Sequence, residues 1–236
     1  MKKISLVAVY NKPEVLKEMT DSALMQKNVE VELITLDNTG NRFSSAAQAL
    51  NYGTAQANGE VIVYLHQDIE FLSDDVLESI YDYAVENPKN VFGAAGVGDM
   101  NKGEDLKILT TMKDYTKTID KPTKAFVLDE CLIACHKSCM EKLSFDEELC
   151  DGWHLYGADL CLQAIDLAGM SVYAVPMNVW HKSGGCADTS YFDTQDKLAE
   201  KYKSYHKVVN TTNGFAYTNP LKRKLYRTYR RLRYKK

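Results

Sequence analysis

An aspartate just past an apolar strand is the residue of this 236-residue chain best placed to do chemistry. Val61 to Leu65 is continuously apolar or aromatic and opens on three β-branched residues, the pattern of a strand covered on both faces. His66, Gln67 and Asp68 follow it directly. In open α/β sheets ligands bind beyond the carboxyl ends of the strands, so Asp68 is expected where a substrate or cation would lie. The structural alternative is that Asp68 caps the helix announced by Ser73-Asp74-Asp75-Val76-Leu77, but Ser73 is better placed for that task. Two further predicted strand ends carry Tyr10 with Asn11, and Asp37 with Asn38. A ring of this kind suits a flat base, and a carboxylate suits ribose hydroxyls or base N–H groups. Asp68 would hold a hard cation, Mg²⁺ or Mn²⁺, against a diphosphate.

The elements that must position these residues are legible from periodicity. Ile4 to Val9 reads as a first strand, and Pro13 suits the first turn of a helix over residues 14–25. Strand 29–36 ends in the loop-forming Asp37-Asn38-Thr39-Gly40-Asn41. The Ala-rich stretch 44–57 predicts a helix, and Val61 to Leu65 completes a β-α-β-α-β unit. Right-handed crossovers make this a doubly wound half. Further on, helices are expected over 75–86, 136–143 and 159–168, and strands over 91–97, 125–134 and 171–175. Residues 98–122 lack a period and predict a variable connection with a small hairpin.

The hydrophobic content of 45% is that of an ordinary globular protein, and no run approaches a membrane span. The N-terminal apolar segment is too short for a secretory signal, so a cytoplasmic location is expected. Cys131, Cys135, Cys139, Cys150, Cys161 and Cys186 include no Cys-x-x-Cys pair and are expected to be free thiols rather than a zinc site. Charge is segregated. Residues 221–236 hold nine Lys or Arg and no acid, leaving the first 220 residues at −12 within a chain of net −3. Asn219-Pro220 announces a helix there, with Leu221, Leu225, Tyr229 and Leu232 on one face. A basic amphipathic helix suits an anionic membrane surface, the inner face of a cell membrane for a cytoplasmic protein; packing back on the acidic domain and a nucleic-acid tail are the competing readings, the latter disfavoured.

The Asn-x-Gly run, Ala-x-Gly-Glu, the apolar strand and the acidic triplet His66-Gln67-Asp68 resemble the signature of family 2 glycosyltransferases. The resemblance runs over roughly residues 4–185. It implies a GT-A-like, Rossmann-type open twisted mixed sheet flanked by helices, with residues 1–97 as the nucleotide-sugar half and 98–215 as the acceptor half. A basic helical tail over 216–236 completes the chain. The triplet is usually Asp-x-Asp; here the metal-binding Asp68 is retained and His66 replaces the first carboxylate. By resemblance Tyr10 matches the base-stacking aromatic, Asp37 the nucleoside-binding acid and Arg42 a basic residue near the nucleotide. Asn11, Asn38, His66 and Gln67 fall in the donor site. The segment Phe145 to Leu162 resembles the acceptor-side motif that carries the catalytic base, which implies Asp159, or Asp151, in that role. Asp159 as a helix cap is the structural alternative. Trp153 and His154 would line the acceptor pocket. His181, in Trp180-His181, would complete the metal shell beside Asp68, and Ser183-Gly184-Gly185 would form a lid.

The expected activity is thus an inverting, metal-dependent transfer of a hexosyl or N-acetylhexosaminyl group from a uridine-diphosphate sugar. The acceptor would be a saccharide, free or lipid-linked, of the kind used in cell-surface polysaccharide synthesis. A sugar-nucleotidyltransferase and a non-catalytic saccharide- or membrane-binding module are the alternatives. The first lacks its Gly-rich loop, since Tyr10-Asn11-Lys12-Pro13 stands there.

Overall fold

The computed structural model describes residues 1–104, 108–116, 118–183 and 188–233, with side chains to Tyr229. Its first half follows the expected order: β1 (Lys3–Tyr10), α1 (Pro13–Leu24), β2 (Glu30–Asp37), α2 (Ala46–Thr54) and β3 (Val61–Leu65). β1 lies parallel between β2 and β3. Ser45 caps α2 by accepting from the Gln48 N–H, and Pro13 opens α1 without any side-chain cap. All five residues of β3 are buried, which is why the strand reads as an unbroken apolar run. Alternate residues go to opposite faces. Ile62 and Tyr64 pack with Val7 and α2, while Val61, Val63 and Leu65 pack with Ile4, Leu6 and Met19 of α1. The turn into β3 needs a glycine: Gly59 donates to Ser5 Oγ at 2.8 Å, and a Cβ there would meet the Ser5 nitrogen at 2.6 Å.

After β3 come β4 (Ile69–Phe71), α3 (Val76–Glu86), β5 (Asn90–Gly93), β6 (Ala95–Val97), β7 (Ile108–Thr110), β8 (Thr123–Lys124), β9 (Val127–Leu128) and β10 (Leu132–His136). The expected strand over 91–97 is two strands, because β5 stays in the main sheet while β6 leaves to pair with β7 and β9. The strand expected over 125–134 is likewise divided into β9 and β10. Next follow α4 (Tyr156–Leu162), β11 (Ser171–Ala174), β12 (Val179–His181), α5 (Thr189–Lys201), the hairpin β13 (Val208–Thr211) and β14 (Gly214–Tyr217), and α6 (Pro220–Arg233). The helix expected over 159–168 begins earlier, at Tyr156, and turns π-helical at Gln163–Leu167; that expected over 136–143 is a 3₁₀ segment, Lys137–Glu141. Sequence periodicity gave no sign of β4, β12, α5 or the β13–β14 hairpin.

The main sheet runs β2-β1-β3-β10-β5-β11-β8 and is mixed, with β10 antiparallel to both β3 and β5. β10 therefore begins at the edge where β3 ends, bringing Asp129 to Cys131 beside His66; the His66 N–H donates to the Cys131 carbonyl at 3.0 Å. A separate ribbon of β4 and β12 places His181 opposite Ile69, one residue beyond Asp68. Five of the six cysteines are described, and all five are buried free thiols. Among the described residues no helix is long and apolar enough to cross a membrane.

Candidate active site

The carboxyl ends of β1 and β3 and the first turns after β2 surround a cavity of about 380 Å³, lined by Tyr10, Asn11, Asn38, His66, Gln67 and Asp68 among others. Trp153, Tyr156 and Ser183 close its other side. Of the residues expected for the donor, Asp37 sits outside the lining, at the exposed end of β2. Its carboxylate accepts from the Thr39 N–H at 2.8 Å, and with the Tyr10 hydroxyl this holds its pKa below the usual carboxylate range. Burial and the neighbouring Asp37 charge raise the Tyr10 phenol. Arg42 also stands outside the lining; its guanidinium is 4.8 Å from the ring centres of both Phe43 and Tyr52.

Gln67 fastens the loop after β1. Its Oε1 accepts from the Asn11 and Lys12 N–H groups at 3.1 and 3.0 Å, and its Nε2 donates to Asn11 Oδ1 at 2.8 Å. Asn38, 6% exposed, fixes the next loop, with Oδ1 accepting from the Phe43 N–H at 2.7 Å.

His66, Asp68 and His181 converge, with one ligand atom of each within 4.8 Å of the others. His181 Nε2 lies 3.3 Å from Asp68 Oδ1 and 3.3 Å from His66 Nδ1. Burial opposes ionisation of Asp68, yet hydrogen bonds from His181 and Ser183 outweigh it and hold the carboxyl far below its usual range. Burial likewise works against a charged His181, and Asp68 outweighs it, so that imidazole is raised. His66 is lowered, first by burial and then by the His181 charge. Its Nε2 is 3.1 Å from the Tyr156 hydroxyl. Ligand atoms of Cys131 and Asp129 come within the same distance of His181 and of each other.

Two imidazole nitrogens and a carboxylate oxygen, with His66 and Asp68 lining the cavity and His181 against them, are a fitting donor set for a divalent cation that keeps positions for substrate oxygens. The nitrogen donors suit Mn²⁺ better than Mg²⁺, which favours oxygen shells. In the expected reading His66 served the donor; the geometry sets its Nδ1 among the potential ligands instead. Tyr156 had no expected role, although the segment that carries it stood out.

The two expected bases lie elsewhere. Asp159 is fully buried, and its carboxylate accepts from Lys201 Nζ and the Tyr202 hydroxyl at 2.8 Å and from Gln163 Nε2 at 2.6 Å. It is absent from the cavity lining and sits in a network with Lys201, Tyr202 and Gln163. Asp151 is exposed and pairs with Lys197 at 2.7 Å, two residues before cavity-lining Trp153. Trp153 is 44% exposed. His154 is turned from the cavity: its Nε2 is 3.5 Å from Asp188 and its ring packs on Tyr191. Residues 184–187, the rest of the expected lid, and Cys186 with them, lie outside the described residues.

A doubly wound half joined to a mixed sheet, with a polar cluster at the carboxyl edge of the third strand, defines the GT-A glycosyltransferase fold. Residues 7–208 match the model of the Glycosyltransferase like family, and the chain belongs to that family. Staphylococcus aureus TarS, residues 1–349, superposes at a TM-score of 0.53 over 88% of this chain and 73% of its own, at 13% identity. GalNAc-T7, solved with UDP, GalNAc and Mn²⁺, superposes at 0.60 over 86% of this chain and 50% of its own, at 12% identity. The mannosyltransferase PcManGT of Pyrobaculum calidifontis, in complex with GDP-Man and Mn²⁺, gives 0.52 over 84% and 61%, at 14% identity. These likenesses concern the fold. A curated relative, the ATP synthase subunits region ORF 6 of Fuscovulum blasticum, is 27% identical over 159 residues. The chain spans 62% of that relative's length, and the match takes in 64% of this chain.

Proposed function

We propose that this glycosyltransferase-like protein moves a hexosyl or N-acetylhexosaminyl group from a nucleotide diphosphate sugar, uridine-linked, to a saccharide hydroxyl with inversion. The observation that carries the reading is the convergence of His181 on His66 and Asp68, which line the cavity together with Tyr10, Asn38 and Gln67. GalNAc-T7 and PcManGT, with the same fold, were solved with a nucleotide and Mn²⁺. A cation held by His66, Asp68 and His181 would supply charge neutralisation for a leaving diphosphate. The protein's own residues do the rest. Tyr10 offers its ring to the base, and Asp37 at the rim offers a carboxylate to ribose or base. Gln67 keeps the β1 loop in place, and Tyr156 orients His66 by its hydroxyl.

In this reading Asp151 takes the proton of the acceptor hydroxyl. Its tie to Lys197 is a surface ion pair, which costs only about 0–1 kcal/mol to break. Trp153 then supplies the face for the acceptor ring. A lipid-linked saccharide is the acceptor class that agrees with a basic tail at an anionic membrane surface, on the cytoplasmic side. The test is calorimetric titration of uridine diphosphate with and without Mn²⁺, on the wild type and on Asp68→Ala. Metal-dependent binding lost in the variant is expected; absence of binding in the wild type would remove the uridine-donor reading.

A further inference from the structure

Amphipathic helices on soluble domains turn their apolar stripe inward. α6 does the reverse. Its basic face is the docked one: Arg223 reaches Glu200 at 2.9 Å, and Arg227 reaches Asp196 at 2.6 Å and Asp193 as well. Tyr226 stacks on Phe215 of β14, with ring centres 4.6 Å apart. On the opposite side Leu221 and Leu225, one turn apart, are 75% and 73% exposed. Tyr229, a turn further, is 54% exposed, and Lys222 and Lys224 flank the stripe in solvent. The sequence continues the positive charge to its last residues without an acid.

The acidic partners all come from α5, and the same helix holds the acceptor-side segment by its other flank. Lys197 reaches Asp151 at 2.7 Å, and Lys201 reaches Asp146 and Asp159 at 2.9 and 2.8 Å. Asp188, which caps α5, stands 3.5 Å from His154. α5 is thus a strut between α6 and the segment over residues 146–159, a loop that runs into the first turn of α4.

We propose that α6 is a membrane-docking element that lays Leu221 and Leu225 into the interface of an anionic lipid bilayer. The occupant follows from charge complementarity. An exposed apolar stripe bordered by lysines, on a helix with no acid, meets both requirements of an interfacial helix on anionic lipid. Because arginine pairs clamp the helix to α5, docking fixes the height of the acceptor-side loop above the lipid surface. That last consequence rests on the transferase reading; the docking does not.

The experiment is sedimentation of the full chain with vesicles of phosphatidylcholine alone and of phosphatidylcholine with phosphatidylglycerol. Partition onto the anionic vesicles only is expected, weakening as salt is raised. Each leucine removed from the interface is expected to cost about tenfold in partition, so Leu221→Ser/Leu225→Ser loses about a hundredfold. Both positions are solvent-exposed, so circular dichroism and the uridine diphosphate titration are expected to stay unchanged. Equal partition of the double variant, or a wild type that stays in the supernatant, overturns the proposal. So does a concentration-dependent dimer that the double variant dissolves, which would give the stripe to a second copy of the chain. The vesicle result does not depend on the nucleotide titration, so either can fail alone.

Discussion

Replacing Asp159 by alanine separates a structural carboxylate from a catalytic one. The side chain is fully buried and is the shared acceptor of Lys201, Tyr202 and Gln163. After Asp159→Ala, Lys201 retains Asp146 at 2.9 Å, so no cation is left stranded. The Tyr202 hydroxyl fares worse, because Tyr202 is 1% exposed and the Asp159 carboxylate is its short-range acceptor. Leaving a buried donor unpaired costs about 1–3 kcal/mol, and a lost bond to a charged acceptor is of similar size. The sum expected for the variant is about 3 kcal/mol, since Gln163 keeps its bond to the Ser144 carbonyl at 2.8 Å. For a chain of this length that is a fall in Tm of about 6–12 °C. Differential scanning calorimetry checks it, alongside sugar transfer measured well below the variant's Tm. Loss of stability with turnover retained is the expected pair of results. A variant as stable as the wild type but inactive would refute the reasoning and return Asp159 to the base role.

Three further outcomes are expected. Glu32 accepts from Ser5 Oγ at 2.5 Å and from the Asn58 N–H at 2.8 Å; burial opposes its ionisation, and these bonds outweigh burial to bring it to about 2. A depressed carboxyl stabilises the fold above its unfolded value of about 4.3, and that contribution is lost as pH falls toward 2. Urea midpoints of Glu32→Gln should therefore show a flatter acid limb across this window, and an unchanged limb would count against the pairing. Gly59→Ala would put a Cβ 2.6 Å from the Ser5 backbone nitrogen, which cannot give way without moving β1; a loss of about 1–3 kcal/mol in urea unfolding is expected. Gln67→Ala removes three bonds to the β1 loop and should weaken nucleotide binding about tenfold by calorimetry with little change in Tm, and undiminished affinity would show that the loop needs no tether.

The doubly wound half was legible because each element there is an unbroken periodic run whose neighbours are close in sequence. β3 matched its expected limits, and α2 and α3 came within two or three residues. The second half was less so. β4 and β12 hold three residues each and exist only because they pair with one another, so neither has a local pattern strong enough to declare itself. α5 carries charge on two faces, to Lys-matched acids on one side and to arginines on the other, which blurs an amphipathic signal. Asp68 drew notice by its place after a strand and His181 by the resemblance of Trp180-His181 to a family pair, and the structure brings the two side chains together. The burial of Asp159 was not legible, because the lysine that neutralises it stands 42 residues further on, in a helix without a readable period. The outward stripe of α6 was visible as spacing, but only the acidic ridge of α5 shows that the basic face is the anchored one.

The 115 residues that separate His66 from His181 have a consequence for how the chain matures. The half built from β1 to β3 has short-range connections and can gain its form early, whereas β12 can join β4 only after the intervening sheet has closed. A chain emerging during synthesis therefore carries Asp68 for a long interval with no second imidazole opposite. Any cation taken up by the three side chains is bound by finished molecules alone, and its binding energy goes wholly to them by mass action. Ligand supply would then act as a check on assembly, drawing the population toward chains in which the last ribbon has docked.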